Sequence, residues 1–336
     1  MKRNNNKNLV IGLAYDLRDD YIRLGFSAEQ AAEFDMDETI DSLEMAIRKN
    51  GFETERIGNA RQLVYLLAAG KSWDLVFNIA EGLDGRSREA QVPALLDIFR
   101  IPYTFSDPLI CALTLDKAMA KQLVKTANLP TPDFFVVSST AQIDGCPLDF
   151  PLFAKPLAEG TGKGITSGSV LHTKAELAEV CKKLLEKFNQ PVLVEKYLPG
   201  REFTVAVIGN PPEVRLLGIT EVKVSKKSCN AVYSYEAKKN YQQLVEYTPL
   251  TRQDRLYKNI EKLSLDCFNV LQCRDAARFD FRCDADGIPS FMEVNVLPGL
   301  HPVHSDLPII SAQQKVSYEA LIGKIIEIAL KRTGTM

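Results

Sequence analysis

Nothing in the 336 residues approaches the roughly 20 consecutive apolar positions that a bilayer-spanning helix requires, so no membrane partner is expected. Metal-binding cysteine pairs are lacking too. The seven cysteines are odd in number and scattered without a CxxC. The three histidines, His172, His301 and His304, have no cysteine partner at zinc spacing. A structural zinc is therefore not expected, and Cys111, Cys181, Cys267 and Cys283, set in apolar patterns, read as buried free thiols. Charge of one sign is missing as well. Lysine plus arginine number 41 against 43 acids, interspersed, for a net charge of −2, which gives no basic field for nucleic acid. No GxGxxG follows the first strand pattern, which excludes a dinucleotide fingerprint. The apolar run 9–14, behind a polar start, is too short for a signal segment, and a cytoplasmic location is expected.

What is present is an ordinary globular balance, 46% hydrophobic and 25% charged, in a chain long enough for two or three domains. The first third alternates strand and helix patterns: strands at 9–14, 75–79 and 102–105, helices at 37–50, 63–69 and 90–99. This rhythm predicts an open, mostly parallel sheet. A second unit begins near Pro108. It has a helix over 115–127 with Leu115, Met119 and Leu123 on one face, strands at 134–137, 152–155 and 191–198, and a helix at 176–188. From 203 the chain turns strand-rich, at 203–208, 214–224, 278–284 and 290–296, with helices at 254–270 and 317–332. The expected class is α/β, becoming α+β in the C-terminal half. The polar stretch 226–243 reads as a long loop, and loops of that length are usually functional.

Three constellations carry chemistry. In the first, strand alternation over 277–295 sets Arg278 and Asp280 on one face, with Ala277, Phe279 and Phe281 on the other. Glu293 and Asn295 share a face downstream, and Met292 and Val294 share the opposite one. With Asp286-Gly287 as a two-residue hairpin turn, Asp280 lies across from Glu293 and Arg278 across from Asn295. Opposed carboxylates repel unless a cation sits between them, and two carboxylates with an amide oxygen suit Mg²⁺ shared with phosphates. The alternative is a solvated acidic face.

The second is Lys155, ending an apolar strand, followed by Glu159-Gly160-Thr161-Gly162-Lys163-Gly164. Glycines there let backbone N–H groups approach a phosphate, although the loop is not a Walker A. Read alone, it is equally a mobile turn with a surface lysine, and Lys117 equally a solvated helix lysine. The third is VLVEKYLPGRE at 192–202. Its strand glutamate Glu195 could accept an adenine amino group and Glu202 ribose hydroxyls; equally, Glu195 could sit on an exposed strand face.

In this order the pieces resemble the ATP-grasp superfamily, and within it the D-alanine–D-alanine ligases, over about 73–331. The matches are LTLDKAMAK, FAKPLAEGTGKG, LVEKYLPGREFTVAV, YSYEAK, ARFDF and FMEVNVLPG. The resemblance implies an ATP-grasp fold behind a pre-grasp α/β domain, with boundaries at 1–107, 108–202 and 203–336. It implies ATP and Mg²⁺ (or Mn²⁺) as cofactors, small carboxylate and amine substrates, amide formation through an acyl phosphate, and a homodimer. By the same resemblance Lys117 and Lys155 contact phosphates beneath the loop formed by Glu159, Gly160, Thr161, Gly162 and Gly164. Glu195, Lys196 and Leu198 match the adenine stretch, Glu202 the ribose contact, and Lys238 a lid lysine reaching the γ-phosphate. Asp280, Glu293 and Asn295 fall on the Mg²⁺ ligands, and Arg278 with the Gly299 N–H on the oxyanion-stabilising pair.

The substrate regions depart from that family. AYDLRDDYIRLGFSAEQAAEFDMDET at 14–39 replaces its Gly-Gly turn and serine–glutamate pair. EGLDGRSR, from Glu81 to Arg88, replaces HGxxGEDG. Thr161 stands for a loop serine and Lys239 for a tyrosine, and LHPVHSDLP follows Gly299 where the family has a shorter segment. Arg86 or Arg88 is therefore expected to hold an anionic group of the donor, unless both only pair with Asp84 and Glu89 as a surface network or help form a dimer contact; His304 or Ser305 is expected nearer the acceptor. A ligase with a non-amino-acid donor, or an ATP-binding relic without turnover, are the other readings.

Overall fold

Residues 9–224 and 245–335 are described by a computed structural model. The expected lid at 226–243, with Lys238 and Lys239, lies outside the described residues. Val10–Ala14 (β1) is the centre of a parallel sheet, between Glu53–Gly58 (β2) and Leu75–Asn78 (β3). Around it lie Arg18–Arg23 (α1), Asp37–Lys49 (α2), Ala60–Ala68 (α3) and Gln91–Phe99 (α4). Strand β2 has no counterpart in the sequence reading, and the reason is physical. As an edge strand reading ETERIG it lacks an apolar pattern; only its last two residues are buried. The strand expected at 102–105 is reduced to a parallel bridge between Tyr103 and Val76.

The helix expected at 115–127 is Lys117–Thr126 (α6), and Leu115 instead ends an unexpected preceding helix, Pro108–Leu115 (α5), with Asp116 between the two. The Asp116 carboxylate accepts from the N–H groups of Ala118 and Met119, capping α6. Its buried face also differs from the reading. Met119 and Leu123 are 49% and 38% exposed, whereas Lys117, Ala120, Lys121 and Val124 are buried. Apolar periodicity chose the wrong stripe because carboxylates of other elements wait beneath this one.

Phe134–Val137 (β4), Leu152–Pro156 (β5), Val170–Leu171 (β6) and Val192–Lys196 (β7) form an antiparallel sheet in the order β4-β7-β5-β6, packed by Lys174–Phe188 (α7). The third sheet is also antiparallel. It comprises Glu202–Ile208 (β8), Arg215–Val224 (β9), Val245–Pro249 (β10), Ala276–Cys283 (β11) and Pro289–Asn295 (β12), ordered β10-β9-β8-β11-β12. Tyr257–Val270 (α8), Asp306–Gln313 (α9) and Tyr318–Thr333 (α10) complete the described elements.

Cores cross these segments. Cys111, Ala120 and Val124 share one with Phe203, Phe268 and Phe279, so α5 and α6 pack on the five-stranded sheet. Ile11, Ile40 and Phe77 share another with Ile208, Ile310 and Ile325, so the parallel sheet leans on the last two helices. A parallel sheet followed by antiparallel ones is the α/β-then-α+β order expected from the sequence.

Candidate active site

The β11–β12 hairpin places Asp280 opposite Glu293 and Arg278 opposite Asn295, as expected, but the route differs. The connection is a three-residue loop, not a two-residue turn. Asp284 N–H bonds the Ile288 carbonyl at 3.0 Å and Gly287 N–H bonds the Asp284 carbonyl at 3.2 Å, with Gly287 at φ +83°. That is a type I turn followed by a left-handed glycine. The loop alone would set Asp280 against Met292. A bulge between Asp280 and Phe281, whose partner is Phe291, shifts the register by one and restores Glu293. Met292 therefore lines a cleft with Asp280 and Glu293 instead of sharing a face with buried Val294.

Five charges alternate beneath this hairpin. Lys121 Nζ lies 3.1 Å from Glu195 Oε2, and Lys155 Nζ lies 3.3 Å from Glu195 Oε1 and 3.5 Å from Glu293 Oε2. Lys117 Nζ closes the chain 3.8 Å from Glu293. Glu195 makes ion pairs but no well-directed hydrogen bond. Burial pushes its pKa up, and Lys121 and Lys155 override this, so it falls below the usual carboxylate range. Burial likewise opposes the charge of Lys155, yet Glu195 and Glu293 hold its pKa above normal. The Glu195 carboxylate is thus committed to two lysines, neither presented to solvent nor offered to a ligand's amino group. Lys117 is not solvated either; it donates to the Glu159 carbonyl at 2.6 Å.

The glycine loop is anchored, not a free turn. Lys163 is buried, 3.0 Å from Glu159 and 3.5 Å from Glu33. Thr161, Gly162 and Gly164 all have positive φ, and a Cβ at Gly164 would lie 2.7 Å from Pro156. Gly160 N–H donates to Glu33, which comes from the 14–39 segment and carries no recognisable sequence signal. Beyond the loop, Lys196 Nζ turns to the Asp149 carbonyl at 2.9 Å and Leu198 is buried. Glu202 lies 3.5 Å from Arg282 and lines the cleft with Lys155, Gly162, Asp280 and Glu293.

A second cavity of about 470 Å³ adjoins it and shares Glu293. Its wall brings Lys117, Arg278, Asn295 and Gly299 together with Glu81, Glu89, His301, His304 and Ser305. Arg278 is gripped between Asp280 at 2.8 Å and Asp306 at 2.9 Å. Burial works against its charge, and these carboxylates outweigh it, raising its pKa. The imidazoles of His301 and His304 stack, and burial lowers both pKa values, that of His304 to about 4, so both are neutral at pH 7.

The arginines expected to take a donor anion are already engaged. Arg86, largely exposed, pairs with Asp116 at 2.7 Å. Arg88, buried, pairs with Glu33 at 3.0 Å and donates to the Ala158 carbonyl at 3.0 Å. Neither pairs with Asp84 or Glu89 as the alternative had it. By contrast Glu81 and Glu89 face the cavity without an ion pair among the described residues. Burial, then mutual repulsion with Glu89 and Glu33, raises the pKa of Glu81. Burial likewise lifts Glu89, to about 7. The sequence reading missed Lys121, Glu33, Glu89 and Asp306. Only Lys121 had a signal, four residues after Lys117 on the same helix face.

With oxygen donors from Asp280, Glu293 and Asn295 at one end of the clefts, and Arg278 and Gly299 beside them, the donor set fits a hard divalent cation. A family model described as D-ala D-ala ligase C-terminus matches residues 123–327. A protein called uncharacterized protein y4sG from Sinorhizobium fredii is 33% identical, covering 87% of each chain. A D-alanine–D-alanine ligase from Chelativorans sp. is 30% identical, over 91% of this chain and 95% of its own. One from Aquifex aeolicus is 31% identical, over 84% and 91%. Among solved structures, a Bacillus anthracis D-alanine–D-alanine ligase complexed with ATP superposes with a TM-score of 0.75 at 24% identity, covering 98% of this chain and 99% of that one.

Proposed function

The chain belongs to the D-alanine–D-alanine ligase family and is an ATP-dependent carboxylate–amine ligase, and from that premise we propose that it joins two amino-acid-type substrates in the 470 Å³ cavity. The observation that carries this reading is the shared wall. Lys117, Glu293 and Asn295, facing the phosphate end, and Arg278 and Gly299, facing the acyl end, line one enclosure.

A carboxylate is a poor electrophile, and phosphorylation by ATP supplies a leaving group. Lys117 and Lys155 would neutralise the phosphates, and Asp280, Glu293 and Asn295 would hold Mg²⁺, which adds further charge neutralisation. Arg278 and the Gly299 N–H stabilise the oxyanion formed as the amine attacks. Asp280 and Asp306 fix the guanidinium in advance, so no reorganisation is needed at the moment of reaction. Glu159, Gly160, Thr161, Gly162 and Gly164 cover the phosphates, and Glu202 takes the ribose.

Glu81 and Glu89, without an ion pair among the described residues, favour a substrate ammonium at that end of the cavity, not the anion first expected of Arg86 or Arg88. His304 and Ser305 serve the acceptor. The proposed arrangement has domains at 1–107, 108–202 and 203–336, in a cytoplasmic homodimer. One sheet in each segment supports the division. Among the described residues no helix is long and apolar enough to cross a membrane.

The test is ADP release with MgATP and a mixed pool of D- and L-amino acids, with mass spectrometry of products. Condensation of two amino acids with loss of water is the expected mass. Turnover only with carboxylates lacking an amino group would overturn the substrate reading.

A further inference from the structure

The alternating charges under the hairpin include one lysine that reaches neither cleft. Lys121 is 0% exposed, as is Glu195, and neither lines the cavity holding Arg278 or the cleft holding Lys155. We propose that Lys121 is a positioning residue for nucleotide binding, holding the Glu195 carboxylate from the buried side so that Lys155 is left available to phosphate.

The electrostatics follow from the distances. A carboxylate with no access to water needs a counter-charge, and in such surroundings the attraction is far stronger than at a surface. Two ammonium groups share Glu195, at 3.1 Å and 3.3 Å, one on each oxygen. Lys121 cannot drift from its place. It donates to Thr131 Oγ1 at 3.1 Å and to the Phe291 carbonyl at 3.2 Å, and Thr131 itself donates to the same carbonyl at 2.8 Å. Lys155 is the partner with freedom, since its ammonium also meets Glu293 and lines the cleft. With Lys121 removed, Lys155 is the one close cation left to Glu195 among the described residues. Lys155 is then drawn toward Glu195 and away from an incoming phosphate. Lys117 and Lys121, one helical turn apart on α6, so take opposite ends of one chain of charges: one at the cleft, the other behind it.

The proposal rests on the reading that Lys155 serves the phosphates, and the experiment separates the two. MgATP affinity is measured by titration calorimetry for the full chain and for Lys121→Met, Glu195→Gln, the double variant and Lys155→Met. Lys121→Met is expected to bind MgATP at least tenfold more weakly. Making the same change in the Glu195→Gln background is expected to cost less than threefold, because the carboxylate that competes for Lys155 is gone. A merely structural lysine would not show that dependence on Glu195. Wild-type affinity in Lys121→Met, or an equal penalty in both backgrounds, overturns the proposal. Should Lys121→Met not fold, the pair of variants lacking the Glu195 charge decides alone, and a tenfold difference between them overturns it. Unchanged affinity in Lys155→Met refutes the phosphate reading itself; weakened binding there with none in Lys121→Met refutes only the role of Lys121.

Discussion

Single side chains at this site do their work through charge that is already in place. Arg278 sits between Asp280 and Asp306, and the part proposed for it is to meet an oxyanion rather than to bind nucleotide. Arg278→Met should therefore lower amide formation by about 10²–10³ while leaving the MgATP dissociation constant within threefold. A parallel collapse in nucleotide affinity would make it an ATP ligand. Glu293 is opposed to Asp280 and stands near two lysines. Glu293→Gln should cost turnover more than the roughly 10–100-fold seen for residues that only support a metal ligand. Normal turnover at low Mg²⁺ would refute its assignment as a ligand.

Titration acts at the same scale. Burial lifts Asp35 and Glu89 each to about 7, against ordinary values of 3.8 and 4.5. Between those limits these two groups in the folded chain hold protons that they have released in the unfolded chain, so their contribution to stability falls as pH rises from about 4 to about 7 and then levels. Replacing Asp35 with Asn should flatten part of that slope in denaturation curves taken across this range. An unchanged slope would mean that Asp35 titrates normally.

Elements matter where two local irregularities compensate. The loop at 285–287 and the bulge at Met292 each displace the hairpin by one residue, in opposite directions, and together they set Glu293 against Asp280. The expected pairing was thus right although the turn was not. Gly287 holds a φ of +83° that an L side chain adopts only at a cost. Gly287→Ala should lower stability in urea by about 1–2 kcal/mol. Because the bulge lies between the turn and the Asp280–Glu293 pair, MgATP affinity should be unchanged. A large loss of affinity would show that the loop governs the site's register. Helix α6 makes the complementary point: its break at Asp116 is what turns Lys117 and Lys121 inward.

Across the whole molecule, the joint between the first and last units includes a buried ion pair beside its hydrophobic core. Asp275, 0% exposed, accepts from Arg332 of the terminal helix at 2.8 and 2.9 Å, from Asn210 at 2.8 Å, and from the Phe105 N–H at 2.8 Å. Arg332 also donates to the Tyr103 carbonyl at 2.7 Å. Removing the charge at 275 leaves a largely buried guanidinium unpaired, which typically costs about 3–5 kcal/mol. Asp275→Asn keeps the shape and tolerates the left-handed backbone at this position, but it loses the charge and one of two acceptor oxygens that each take two hydrogen bonds, so its melting temperature should fall. A melt matching wild type would mean that hydrophobic packing between the units suffices.

The sequence by itself determined the strand-rich order of the C-terminal half, the shared face of Arg278 and Asp280, and the glycine loop beside Lys155. Each is written in local periodicity or in residue chemistry at short spacing. It also carried enough ordered motifs to identify the family. Tertiary structure decided what depends on partners far away in the chain. The buried stripe of α6 was illegible because the carboxylates that make two buried lysines tolerable lie about 75 and 175 residues further on, and no local pattern reports them. The edge strand β2 was illegible because exposure removes the apolar signal. The charge facing the cavity beside Arg278 was hidden for the same reason. Arginines 86 and 88 look available in the sequence, and only the fold brings Asp116 and Glu33 to neutralise them, leaving Glu81 and Glu89 facing the space.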